Sequence, residues 1–134
     1  MDDECRGERP ETEVYDWYTR GLALLRAGSA AAAEQVLNRA AQAAPESRSI
    51  LEALGRAQFQ ARRYHAACES FKRIVEANPV DDYAQFGMGL AAARTGDLET
   101  AVEHLALAAA MRPDLAHYHR ELRRARERLA AARR

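Results

Sequence analysis

Few side chains in this sequence have the types and spacing that chemistry demands. His65, Cys68 and Glu69 fall in one helical stretch at intervals a metal ion could bridge, but three loose donors without a second pair make a poor zinc site. His117 and His119 are two residues apart, point to different helix faces and cannot chelate together. Cys5 and Cys68 are too far apart, and too few, for a disulfide framework. No phosphate-cradling glycine loop, nucleophile elbow or HExxH pattern occurs, so no nucleophile–base pair stands out. The expectation is a non-enzyme with no catalytic residues, no metal and no cofactor. Arg120, Arg123, Arg124, Arg126, Arg128, Arg133 and Arg134 gather near the C-terminus beside Glu121 and Glu127. Such a cluster could meet phosphates, but 20 basic residues balance 20 acidic ones and groove-reading motifs are absent. A solvated helix face with local pairing to Glu127 is the expectation, and nucleic acid is not expected as a partner.

The remaining chemistry is that of binding. Trp17, Gly21 and Leu24 form one stripe on the first helical stretch, and Tyr15, Tyr18, Leu22 and Leu25 form another about 100° around it. One stripe can pack on a partner helix; the second needs another neighbour or a ligand.

The elements that position these residues are set by a period. Pro45, Pro79 and Pro113 lie 34 residues apart, and the same step aligns Gly21 with Gly55 and Gly89, Ala33 with Ala67 and Ala101, and Leu37 with Phe71 and Leu105. Helices are predicted near 13–27, 30–43, 47–60, 64–77, 81–94, 98–111 and 114–132. Residues 1–12 read as a disordered acidic leader ahead of a single domain at 13–134. No window approaches the ~18 apolar residues of a membrane span, and the polar beginning does not read as a secretory signal, which suggests a cytoplasmic protein without membrane contact. Gly28 and Gly96 follow helices where a left-handed residue is cheap. Arg62 holds that place in the second unit, at a cost on the order of 1 kcal/mol if it takes the same conformation. Asp97 and Asp114 stand near helix starts as candidate caps. The mid-helix glycines predict a partner helix too close for a Cβ. Gly87, an extra glycine, could leave a notch for a ligand but is more simply a tolerated substitution.

These residues resemble the tetratricopeptide repeat. The resemblance rests on Trp17, Gly21, Ala33, Leu37, Ala40 and Pro45, then Leu51, Leu54, Gly55, Tyr64, Ala67, Phe71 and Pro79, then Met88, Gly89, Ala101, Leu105, Ala108 and Pro113. Arg20, and Leu24, Gln58 and Ala92, depart from it at positions where leucine and tyrosine are usual. The resemblance implies an all-α fold, a right-handed α-solenoid of three helix–turn–helix units at about 14–47, 48–81 and 82–115, closed by a capping helix at about 114–132. It also implies a concave groove for a protein partner. By register the groove residues are Tyr15, Tyr18, Leu22, Leu25, Glu52, Arg56, Phe59, Tyr83, Phe86, Leu90 and Arg94, with Glu52 and Arg56 as an i,i+4 ion pair between two apolar walls. Arg120 and Arg124 could add charge at the far end. The implied partner is a peptide or amphipathic helix with apolar anchors and an acidic group, so the expected role is an interaction adaptor. A chaperone holding an unfolded or secreted segment is the alternative, and the aromatic groove could also mediate self-association. Some members grip the C-terminal carboxylate of heat-shock chaperones with lysine, asparagine, asparagine, lysine and arginine. The corresponding positions here are Tyr18, Leu22, Ala53, Tyr83 and Gly87, none of which matches.

Overall fold

The computed structural model describes residues 10–134 as seven helices joined by short turns, with no strand among the described residues. They are α1 (Pro10–Arg26), α2 (Ala30–Ala43), α3 (Arg48–Gln60), α4 (Tyr64–Ala77), α5 (Asp82–Thr95), α6 (Leu98–Met111) and α7 (Ala116–Ala132). Helix α1 starts three residues earlier than expected, because Pro10 suits a first helical position that needs no N–H and Glu11 and Glu13 favour the helix's positive end. The rest of the expected acidic leader, residues 1–9, lies outside the described residues.

Two turn types alternate along the chain, and each follows from its residues. Within every unit the first helix ends in the same double hydrogen bond. Ser29 N–H donates to Leu24 O and Gly28 N–H to Leu25 O; Arg63 to Gln58 and Arg62 to Phe59; Asp97 to Ala92 and Gly96 to Ala93. The left-handed slot holds Gly28 at φ 82°, Arg62 at φ 63° and Gly96 at φ 90°, so Arg62 does carry the strain its position implied. Between units a turn closes across each proline. Ser47 N–H donates to Ala44 O, Asp81 to Asn78 O and Leu115 to Arg112 O, each at 3.1 Å, with the proline at the second position that its fixed φ suits. Ser47, Asp81 and Asp97 then cap α3, α5 and α6 through Ile50, Ala84 and Thr100 N–H groups. Asp114 does not cap α7: it accepts from Arg112 Nε and Nη2 at 3.0 and 2.8 Å, while Leu115 occupies the cap position.

Consecutive helices pack as antiparallel neighbours. The odd-numbered helices also touch one another, α1 with α3, α3 with α5 and α5 with α7, whereas α2, α4 and α6 do not. The odd helices are therefore the inner row of a curved array. The close approach within each unit has the predicted cause. A Cβ on Gly55 would lie 2.8 Å from the Phe71 ring, one on Gly89 would lie 2.7 Å from Leu105 Cγ, and one on Gly21 would collide with Leu37. Gly87 is part of the same device: a Cβ there would meet three ring atoms of Phe71 at 2.8 Å. The Phe71 ring thus lies close to both Gly55 and Gly87, so Gly87 is required by packing rather than merely tolerated. The first unit has the smaller Leu37, and there the position equivalent to Gly87 is Ala53, in the same core cluster.

Helix α7 closes the array with Tyr118, Leu122 and Ala125, all buried. Its Arg123 stands one step of 34 beyond Gly89, and its exposed side chain occupies the face that receives a second helix in each earlier unit. Among the described residues no helix is long and apolar enough to cross a membrane.

Candidate groove on the inner helix row

The inner row positions the expected site residues, with several departures. Arg56, Phe59, Tyr83, Phe86 and Leu90 come together as predicted, lining one cavity of about 230 Å³ with Gln60, Phe71 and Gly87. Its aromatic walls come from three helices: Phe59 of α3, Phe71 of α4, and Tyr83 and Phe86 of α5. Tyr83 meets Phe71 edge-on at 6.1 Å, and burial pushes its hydroxyl above the ordinary tyrosine pKa. At the other end Tyr15 is 65% exposed, while Tyr18 and Leu22 are half-buried against the first unit's core.

Leu25 is not a groove residue. Helix α3 covers it, and it lies in the core with Ala33, Leu37 and Leu54. Phe86 borders the cavity but is only 7% exposed, because its ring stacks on Tyr118 of α7 at 4.3 Å and meets His117 edge-on at 5.3 Å. It is chiefly an α5–α7 joint. The Glu52–Arg56 ion pair does not form. Glu52 accepts from Arg48, one turn the other way, and Arg48 is held in place by Asp81, the cap residue of α5, through Nε at 2.7 Å and Nη2 at 3.1 Å. The Arg48 guanidinium keeps the Asp81 carboxyl below its ordinary value, and the two acids hold Arg48 well above its own. Arg56 thereby has no acidic partner among the described residues.

A second cavity, about 240 Å³, adjoins the first and shares Phe59 and Leu90 with it. Ala93, Leu105 and Ala125 give it an apolar floor, and Arg94, Glu121, Arg124 and Arg128 surround it. Arg94 is fixed on the wall: its guanidinium lies 5.1 Å over the Phe59 ring and 5.6 Å from the Tyr64 ring, and donates to the Tyr64 hydroxyl at 3.1 Å. Arg124 pairs with Glu121 at 3.2 Å rather than with Glu127. Arg128 and Tyr64 were not legible as site residues, since register alone does not say which arginines of α7 face inward. The arginine cluster is divided among faces: Arg123 and Arg126 line a separate outer hollow, and Arg133 reaches Glu99 of α6 at 2.9 Å.

Two polar groups of residues are structural. Gln58, at a position where tyrosine is usual, is buried. It accepts from Ser70 Oγ at 2.6 Å and donates to Glu34 at 3.3 Å, and Glu34 also pairs with Arg63 at 2.8 Å. Tyr118 donates to Asp82 at 2.8 Å, and burial with that bond raises its pKa well above the ordinary range. His65, Cys68 and Glu69 border an open cleft with Asp97 and Thr100, and no group of three donors among the described residues is placed to hold a metal ion. Burial also pushes the Cys68 thiol up, away from thiolate character.

Solved structures with this arrangement are numerous. The first TPR of Spaghetti (RPAP3), solved bound to the HSP90 peptide SRMEEVD, superposes with a TM-score of 0.82 at 19% identity, covering 88% of this chain and 94% of that one. The MamA protein of Desulfovibrio magneticus RS-1, residues 41 to the end, gives 0.83 at 23% identity over 96% and 70%. The Sgt2 TPR domain of Aspergillus fumigatus gives 0.82 at 18% identity over 90% and 82%. At these identities the likeness is one of fold. No curated protein matches the sequence. Tetratricopeptide repeat family models match residues 16–57 and 52–116, and together they span all three units. The chain therefore belongs to the tetratricopeptide repeat family.

Proposed function

We propose that this protein is a non-catalytic interaction adaptor whose inner helix row holds a segment of a protein partner through apolar anchors and at least one acidic group. The observation that carries this reading is the pair of adjoining cavities on the inner row, one walled by Phe59, Tyr83 and Leu90 and one ringed by Arg94, Arg124 and Arg128. The exposed Tyr15, with Tyr18 and Leu22, offers a further contact toward the other end of the row. The fold is shared with the Spaghetti domain solved with the HSP90 peptide SRMEEVD, but the residues of a carboxylate clamp are not those of this chain. Where a carboxylate clamp needs polar and cationic side chains, this chain has Ala53 buried in its core and Gly87, which has no side chain to offer. The ligand is therefore a segment read by its side chains rather than by a terminal carboxylate.

Phe86 is unsuited to testing this, because Asp at that buried position would disrupt the stack on Tyr118. Leu90 is only partly buried and faces both cavities. Affinity capture from the native organism's extract should recover a partner with the wild type and lose it with Leu90→Glu, while circular dichroism stays unchanged. Equal recovery by the folded variant would refute the assignment.

A further inference from the structure

We propose that α7 is one wall of the partner site as well as the end of the array, and that the partner presents a large apolar side chain with a carboxylate side chain within one helical turn of it. This rests on the groove reading above and narrows it. The two cavities share Phe59 and Leu90, so an anchor in the first sits directly beside the second. Side chains three or four residues apart on a helix are about 5–6 Å apart, and alternate side chains of an extended segment span a similar distance; either can bridge one shared wall.

The charge of the second cavity selects its occupant. Its ionic groups are Arg94 from α5 and Glu121, Arg124 and Arg128 from α7. Glu121 engages Arg124, which leaves two arginines without an acidic partner among the described residues. Arg94 is preorganised by the Phe59 and Tyr64 rings and the Tyr64 hydroxyl, so it loses little freedom in accepting a carboxylate. The floor of Ala93, Leu105 and Ala125 keeps water from one side of the charge, which strengthens the pairing. A lysine brought to the same place would face three guanidiniums against one carboxylate.

The probe is a set of short fluorescent peptides with one Phe or Leu in a Gly/Ser/Ala background and Glu, Gln or Lys one to four residues away. Anisotropy titration at low salt should show the Glu peptides binding roughly tenfold tighter than the Lys peptides, the scale of one charge-assisted hydrogen bond. The difference should shrink as salt is raised. Arg128 and Arg94 are exposed, and circular dichroism checks that Arg128→Gln and Arg94→Gln stay folded; each should collapse the Glu preference while the Gln peptides bind as before. Equal binding of Glu and Lys peptides, or a preference that survives Arg128→Gln, overturns the proposal. If the Gln peptides bind and Leu90→Glu abolishes that binding, the groove reading survives such a failure; if no peptide binds, both fall.

Discussion

Substituting Gly87 by alanine tests the packing logic quantitatively, because two known effects oppose each other there. In a helix interior the change Gly→Ala is worth about 0.8–1 kcal/mol of stabilisation. Against it stands the ring of Phe71, three atoms of which would lie 2.8 Å from the new methyl group. A flexible neighbour would swing aside, but the same Phe71 ring is also packed against Gly55, whose own missing Cβ leaves the same 2.8 Å. Overpacking of this kind costs about 1–3 kcal/mol. Gly87→Ala is therefore expected to lower stability by about 1 kcal/mol net. The sign should reverse once the ring is gone. The first unit has Leu37 with Ala53 at the Gly87-equivalent position, so in a Phe71→Leu background Gly87→Ala should stabilise by up to about 1 kcal/mol. The coupling between the two changes is thus about 2 kcal/mol, large enough for a double-mutant cycle. Urea unfolding of the four proteins, followed by circular dichroism, measures it. A Gly87→Ala protein stabilised by the full propensity gain, or a coupling near zero, would refute this packing.

Arg62→Gly should raise stability by about 0.5–1 kcal/mol, read as a higher urea midpoint, because the left-handed conformation at φ 63° strains every residue with a Cβ. Gln58→Leu should cost about 1–3 kcal/mol, since it leaves the buried Ser70 hydroxyl without its acceptor and Glu34 with one donor fewer. The Asp81 carboxyl is held below its ordinary 3.8 first by the Arg48 hydrogen bond, so the pair contributes fully above that value and is lost as pH falls through the lowered one. Arg48→Met should accordingly cost about 1 kcal/mol at neutral pH, a modest figure because the guanidinium is half exposed, and the difference from wild type should fade as the pH falls below 3.8 and through the lowered value. A constant difference across an acid titration would remove Asp81 as the cause.

Much of the fold was legible because the residues that end helices and those that let them touch recur together. Gly28, Arg62 and Gly96 mark one turn, Pro45, Pro79 and Pro113 the other, and a single step of 34 carries both. The register also brought Arg56, Phe59, Tyr83 and Leu90 to one cavity without any knowledge of distances. It failed where a residue's neighbour comes from outside its own helix pair. Phe86 occupies the same helix face as Tyr18, yet only Phe86 has a tyrosine of α7 laid over it. Glu52 had arginines one turn away on either side, and helix geometry alone favours Arg56; Asp81, 33 residues beyond Arg48, decides for the other. The Glu34–Gln58–Ser70 chain has no sequence signal at all, because it joins three helices at separations unrelated to the period.

The contact between successive odd helices, and its lack between even ones, has a mechanical consequence. The inner row acts as a line of pivots and the outer row as a set of gaps. A small rotation at each pivot spreads or closes the outer gaps without parting any packed helix pair, and such rotations add along the chain. Stiffness is therefore unequal in direction: the array resists stretching along its inner line but yields to changes of curvature. A ligand spanning α3, α5 and α7 would bridge two of these pivots at once and, by fixing their angles, stiffen the half of the molecule that it occupies.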